Sequence, residues 1–139
     1  MKLMNKASSV LVFLSLALPM ILVGLVRGSN GFQIVALPPI SDRNVFYGGS
    51  VLDVKFKLLD SQGNIVTDAS ATIWVDGTPG MGRGQFNTGN MFTIQGQNYV
   101  FKLDTKPLSA GTGSPLHNIT IAVTVDSTTL AESFFVALH

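Results

Sequence analysis

Along most of the chain, apolar and polar residues alternate in short runs broken by Gly, Pro, Asn and Asp. That period of two predicts half-buried antiparallel β-strands. The clearest run covers 50–59, where Leu52, Val54, Phe56 and Leu58 point to one face and Val51, Asp53, Lys55 and Lys57 to the other. Asp60-Ser61-Gln62-Gly63-Asn64 supplies the turn chemistry that ends it. Strands are also predicted over 31–37, stopped by Pro38-Pro39, and over 69–75, where Ala71, Ile73 and Val75 oppose Thr72 and Trp74. Residues 91–94 and 98–103 follow, the latter with Tyr99, Phe101 and Leu103 on one face. In 117–125, Ile119, Ile121, Val123 and Val125 face inward and Asn118, Thr120, Ala122 and Thr124 outward; 130–138 turns Phe134, Val136 and Leu138 inward. Glycines 77, 80, 82, 84 and 89 predict a flexible loop over 77–90, and a second loop spans 105–115.

One segment breaks the alternation. After Lys2 and Lys6, residues 7–26 are uncharged and dominated by Val, Leu, Ile, Met, Phe and Ala, and Arg27 closes the run. A basic start followed by an apolar run is the pattern of an export signal. The run is longer than a usual signal core and reaches the roughly 20 residues a membrane-spanning helix needs. Val26-Arg27-Gly28 is a poor cleavage site, and Pro19 fits either the end of a signal helix or a kink in a spanning one. Three origins stay open: a cleaved signal, a retained anchor, or a pilin-type leader cut at Lys6-Ala7, although the glutamate common early in such pilins is missing. The expected division is 1–28 as signal peptide or N-terminal membrane anchor and 29–139 as one β domain working at the cell surface or outside the cell.

Seven or so strands, turn signals at intervals of roughly ten residues and no amphipathic helix after residue 30 predict an all-β fold. The expected architecture is an immunoglobulin-like antiparallel β-sandwich preceded by an N-terminal hydrophobic helix. Each predicted sheet has one apolar face, and only face-to-face packing buries both. The chain has 139 residues and no cysteine, so packing must do what disulfides do in many secreted domains. It also excludes a cysteine nucleophile, a thiolate metal site and a lipid-anchored cysteine. The formal charge of +1 divides into +3 from Lys2, Lys6 and Arg27 and −2 from the other six Lys and Arg against eight acids. A mildly acidic domain offers no phosphate-binding patch, and nucleic acid is excluded as a partner.

Gly31-Phe32, Pro38-Pro39, Asn44-Val45, Gly49-Ser50 and Val54-Lys55-Phe56-x-Leu58-x-Asp60-x-x-Gly63-Asn64 resemble the opening of the PxKF domain, a small β module of secreted prokaryotic proteins. The second half is similar too: Tyr99-Val100-Phe101, Leu103-Asp104-Thr105-Lys106, Leu108-Ser109-Ala110-Gly111-Thr112, a strand ending Val125-Asp126 and a last one ending Phe135-Val136-Ala137-Leu138. The resemblance spans about residues 31–138. Asp53 stands where the naming proline of the family would be, and Gly113-Ser114-Pro115-Leu116 lengthens the connection before the penultimate strand. The family is not defined by a catalytic site, so the resemblance implies an extracellular accessory or structural module and transfers no active residues.

Lys55 reads as a solvated lysine beside a core phenylalanine. Trp74 sits opposite Ile73 and Val75 in the alternation, where an exposed indole would stack on a sugar or anchor a partner. The glycine-rich loop folding over it, or a different register, would bury it. Tyr47 and Tyr99 are the other candidate contact residues. The aspartates fall mainly at strand ends and turns, as Asx-turns do, with no Asp-x-Asp-x-Asp calcium spacing. A glycosidase pair of Asp104 with Asp126 or Glu132 would require a cleft-forming insertion that is absent. No Gly-x-Ser-x-Gly occurs, and His117 has no evident triad partners. Gly80-Met81-Gly82-Arg83-Gly84-Gln85 lies between strands with no helix following, so it is no phosphate loop. No cofactor, metal or catalytic residue is expected. Asn118-Ile119-Thr120 is an N-glycosylation sequon whose Asn points outward.

The expected function is that of a non-catalytic secreted or cell-surface module acting in binding or assembly. Its partners are an extracellular protein or further copies of itself, with polysaccharide as an alternative; it meets a membrane only through residues 7–26. A pilin-like or strand-donating filament subunit, with 33–37 as the donated segment, and a carbohydrate-binding accessory domain are the competing classes. N-terminal sequencing of the native protein separates the origins: a start near Ala7 or Ser8 marks a pilin-type leader, near Ser29 a removed signal, and at Met1 a retained anchor.

Overall fold

A computed structural model describes residues 26–27, 31–84, 89–109 and 116–139. The helix expected over 7–26 lies outside them apart from Val26. In chain order the strands are β1 (Val26–Arg27), β2 (Gln33–Ala36), β3 (Val45–Phe46), β4 (Val51–Leu59) and β5 (Ser70–Val75). They continue with β6 (Thr78–Pro79), β7 (Thr93–Gln95), β8 (Asn98–Asp104), β9 (Leu116–Val125) and β10 (Thr128–Leu138), and one helical turn, α1 (Lys106–Ser109), follows β8. The seven longer strands fall on the seven alternating runs. The two-residue strands β1, β3 and β6 and the turn α1 are too short to leave a periodic signal.

Two five-stranded sheets form, in the orders β1-β2-β4-β8-β7 and β3-β10-β9-β5-β6. The pairings are antiparallel, apart from β3, which runs parallel to the end of β10. The apolar faces of the two sheets meet as expected. Leu52, Val54, Phe56 and Leu58 of β4 and Tyr99, Phe101 and Leu103 of β8 share one buried cluster with Ile73, Ile119, Ile121, Val123, Leu130 and Val136 from the other sheet. Each such side chain contributes about 1.5–3 kcal/mol by leaving water. At the centre Phe56 stacks on Tyr99 with centroids 4.7 Å apart, and Phe92 meets Phe56 edge-on at 5.1 Å.

Tyr99 belongs to this core. It is 1% exposed, its hydroxyl donates to the Val66 carbonyl at 2.8 Å and it accepts the Ala69 N–H at 3.1 Å. Burial pushes its pKa up, despite the Ala69 hydrogen bond. As a candidate contact residue Tyr99 is therefore corrected: its place in the inward row of β8 puts the ring between the sheets, and its hydroxyl ties down the chain entering β5.

Turn chemistry sets the hairpins. Asp126 and Ser127, with φ of 49° and 64°, join β9 to β10, and Asp76 (50°) and Gly77 (83°) join β5 to β6. Positive φ at both central residues is the hairpin turn whose twist matches the flanking strands. The glycine-rich stretch, expected as a flexible loop, is partly built into both sheets. Gly80 N–H donates to the Ile73 carbonyl, Asp104 N–H to Met81, and Arg83 N–H to Lys102. A Cβ on Gly80 would stand 2.9 Å from Ile73 Cγ2, so the close crossing requires glycine. The chain returns through Asn90 and Phe92, which bond Ile73 and Ala71, and then joins the first sheet as β7. These crossings cover the β5 and β8 edges on one side of the sandwich. The segment 33–37 is paired rather than free: β2 lies between β1 and β4, and Ile34 is buried.

Two substitutions test this account by urea denaturation. Tyr99→Phe leaves two backbone groups without their partner and costs about 1–2 kcal/mol. Ser127→Gly relieves a left-handed backbone and gains about 1 kcal/mol; a loss there would contradict the turn assignment.

Candidate functional site

The two-residue turn after Val125 fixes which way every peptide group of β10 points. Val125 and Thr128 face each other across it, and the register continues unbroken to Ala137 opposite Leu116. Thr128, Leu130, Glu132, Phe134 and Val136 therefore bond β9, and the odd-numbered residues direct N–H and C=O to the far side. On that side Ala137 N–H donates to Asn44 at 2.7 Å and His139 N–H to Phe46 at 3.0 Å. β3 covers only Ala137 and Leu138. The peptide groups of Thr129, Ala131 and Ser133 point off this edge and meet no backbone partner among the described residues. An open strand edge is a template for another strand.

The side chains along this edge divide cleanly. Thr129, Ala131, Ser133 and Phe135 point outward, and Phe135 is 60% exposed. They continue an uncharged outer face in which Ser70, Thr124 and Thr129 form one cross-strand row, Thr72, Ala122 and Ala131 the next, and Trp74, Thr120 and Ser133 a third. Hydroxyls link neighbouring strands at Thr120–Ser133 (2.8 Å) and Thr124–Thr129 (3.2 Å). Inward, Leu130, Phe134 and Val136 join or pack against the core, and the half-buried Glu132 stands in the same row opposite Ile121. Its Oε1 is buried with no hydrogen-bond partner, and burial pushes its pKa up.

The remaining predicted contact residues do not converge. Trp74 is half-buried on the outer face, and its indole N–H donates to Thr72 Oγ1 at 3.0 Å. Tyr47 is 82% exposed beyond β3 and lines a cleft of about 440 Å³ with Arg43, Phe46, Val51, Asp53 and His139. The Arg43 guanidinium lies 5.1 Å above the Phe46 ring there. β10 and β9 separate β3 from β5, so three strand spacings, about 14 Å, keep Tyr47 and Trp74 apart. Asn118 lies on β9 opposite Phe135; its N–H donates to Asp76 Oδ1, and its own Oδ1 is buried without a partner.

The titratable groups do structural work. Asp60 Oδ1 accepts the N–H groups of Gln62 and Asn64, both at 2.9 Å, which closes the predicted turn; the Asn64 and Gln62 amides lower its pKa. Arg83 bonds Asp104 and the Gly49 carbonyl, and that guanidinium holds Asp104 below the usual carboxylate range. His117, 5% exposed, places Nδ1 2.7 Å from Asp76 Oδ2, and its Nε2 has no partner. Burial works against the Asp76 carboxylate, but the Asn118 amide and the His117 ring together lower its pKa. Among the described residues no three His, Cys, Asp or Glu are placed to hold a metal ion, and no helix is long and apolar enough to cross a membrane.

No family model matches the chain, and no curated protein does. One solved structure is similar over 88% of this chain and 82% of its own: the solution structure of the PKD domain from human VPS10 domain-containing receptor SorCS2, at 10% identity and a TM-score of 0.37.

Sequence reasoning pointed to edge strands as contact surfaces but favoured 33–37 and did not find that 130–138 carries the open edge, and it treated Glu132 only as half of a glycosidase pair. The signal was present: Leu130, Glu132, Phe134 and Val136 share one alternating row, so the charge interrupts an otherwise apolar inward face. Asp76 provides a pH test. Its lowered pKa means the stability it contributes is complete above about pH 4 and is lost as pH falls through the lower folded-state value. Asp76→Asn, which keeps a side chain suited to the left-handed turn and removes the charge, should cost about 1–2 kcal/mol at neutral pH, and the difference from the parent should shrink in strong acid. A difference independent of pH would contradict the role given to the Asp76 carboxylate.

Proposed function

We propose that this chain is an exported, non-catalytic, immunoglobulin-like β-sandwich module that works by contact with other macromolecules, and that β10 supplies the contacting edge. The observation that carries this is the run from Thr129 to Ser133, where peptide groups point outward beside an uncharged face. Strand addition to such an edge gains main-chain hydrogen bonds along its length, with alternate side chains setting the choice of partner. The basic-then-apolar start of the chain and the PxKF resemblance support an extracellular setting. Retention of the hydrophobic segment would hold the module at the membrane, and a pilin-type leader would make it a filament subunit.

A carbohydrate-binding accessory role is the second reading. It is favoured by the rows of hydroxyls beside Trp74 on the outer face. The two readings separate by substitution. Ala131→Pro removes an edge N–H that makes no ladder bond to β9, which an edge strand tolerates. In electron micrographs the native protein should assemble and the Ala131→Pro protein should not, with the circular dichroism unchanged. Trp74→Ala should leave assembly intact. Loss of polysaccharide pull-down in Trp74→Ala, with assembly unaffected by Ala131→Pro, would transfer the function to the outer face.

A further inference from the structure

We propose that the open edge of β10 pairs antiparallel with the same edge of a second copy, and that Glu132, at the centre of that pairing, blocks it until its carboxylate is neutralised. This rests on the reading of β10 as the contact edge and adds the occupant and the control.

The edge is self-complementary about Glu132. A two-fold axis there sets Ala131 opposite Ser133 of the second copy and Thr129 opposite Phe135. These are odd-numbered residues, whose peptide groups already point off the edge, so they form the hydrogen-bonded pairs. Outward, these pairs bring together only uncharged side chains. Inward, Leu130 meets Phe134 of the second copy, apolar against apolar. Moving the axis to Ser133 would call on Ala137, which already donates to Asn44. Moving it to Ala131 would set each Glu132 against Leu130. The isologous geometry is that of a closed dimer.

Glu132 then meets its own copy at a non-hydrogen-bonded position, where Cα atoms approach to about 4.5 Å and side chains are closest. Two ionised carboxylates at that distance repel, and one shared proton removes the repulsion. Among the described side chains no cation acts on it. The inward neighbours on β9 and β10 are Ile121, Leu130 and Phe134. Asp53, Lys55 and Lys57 of β4 and Lys102 and Asp104 of β8 point to the outer face of the opposite sheet. Asp42 is exposed, and Arg43 is held over Phe46. Burial alone raises the Glu132 pKa, which brings its neutralisation toward mildly acidic pH. An inward charge on an edge strand is a recognised barrier to uncontrolled pairing; here it makes the barrier reversible.

The chain has no cysteine, so one substitution can remove the charge and report the contact together. The full chain is studied in mild detergent, which covers the hydrophobic N-terminal segment. Glu132→Cys should form an intermolecular disulfide at neutral pH, faster than the more exposed Ser133→Cys; faster crosslinking through Ala131→Cys would move the axis and overturn the placement of Glu132. In sedimentation equilibrium the parent should be monomeric at neutral pH and dimeric at acidic pH. Glu132→Gln should raise the neutral-pH association constant by at least about tenfold. Adding Ala131→Pro to Glu132→Gln should restore the monomer, with circular dichroism and thermal melting confirming the fold. A monomeric Glu132→Gln protein, or a parent that dimerises equally at both pH values, would overturn the proposal. If assembly of the native protein is still lost in Ala131→Pro, the contact edge survives and self-pairing alone falls.

Discussion

Every long strand of this domain has one apolar row and one polar row, and neither sheet can exist without the other. With no disulfide to hold the chain, the free energy of folding rests on closing those two apolar faces together. The Phe56–Tyr99 stack sits at the middle of the contact, and the Tyr99 hydroxyl extends it outward to the backbone at Val66 and Ala69. Hairpin turns, the Asp60 turn and the Arg83–Asp104 and Asp76–His117 pairs then fix how chain enters and leaves the layers.

Closing two faces does not close the edges. On the β5 and β8 side, the chain crosses twice between the sheets, and its glycines let the backbone pass directly over Ile73 and Leu103. On the other side, β3 pairs with only the last part of β10. Among the described residues the domain therefore has a covered flank and an open one. Along the open flank a single carboxylate interrupts the apolar row, where its burial is unfavourable and a packed neutral residue would suit the core better. A buried polar group that costs stability at an edge is the expected mark of control over association.

Much of this was legible in the sequence. The inward rows of β4, β5, β8, β9 and β10 follow directly from alternation, because a strand exposes its facing in a period of two. Alternation does not reveal which strand lies at an edge, since pairing order is set by contacts distant in sequence. It could not show that β3 would reach the end of β10, nor that the glycines at 80 and 82 would carry chain between sheets. Trp74 and Tyr47 shared a chemical type but not a location, and Tyr99 was an aromatic of the inward row from the start. Glu132 was the readable exception: one charge in the row of Leu130, Phe134 and Val136.

Amide hydrogen exchange along β10 at neutral pH and low concentration tests the open edge most directly. The account predicts alternation: slow exchange at Leu130, Glu132 and Phe134, whose N–H groups bond β9, and fast exchange at Thr129, Ala131 and Ser133. Protection of the odd-numbered amides equal to that of the even-numbered ones would show the edge already covered and contradict the account.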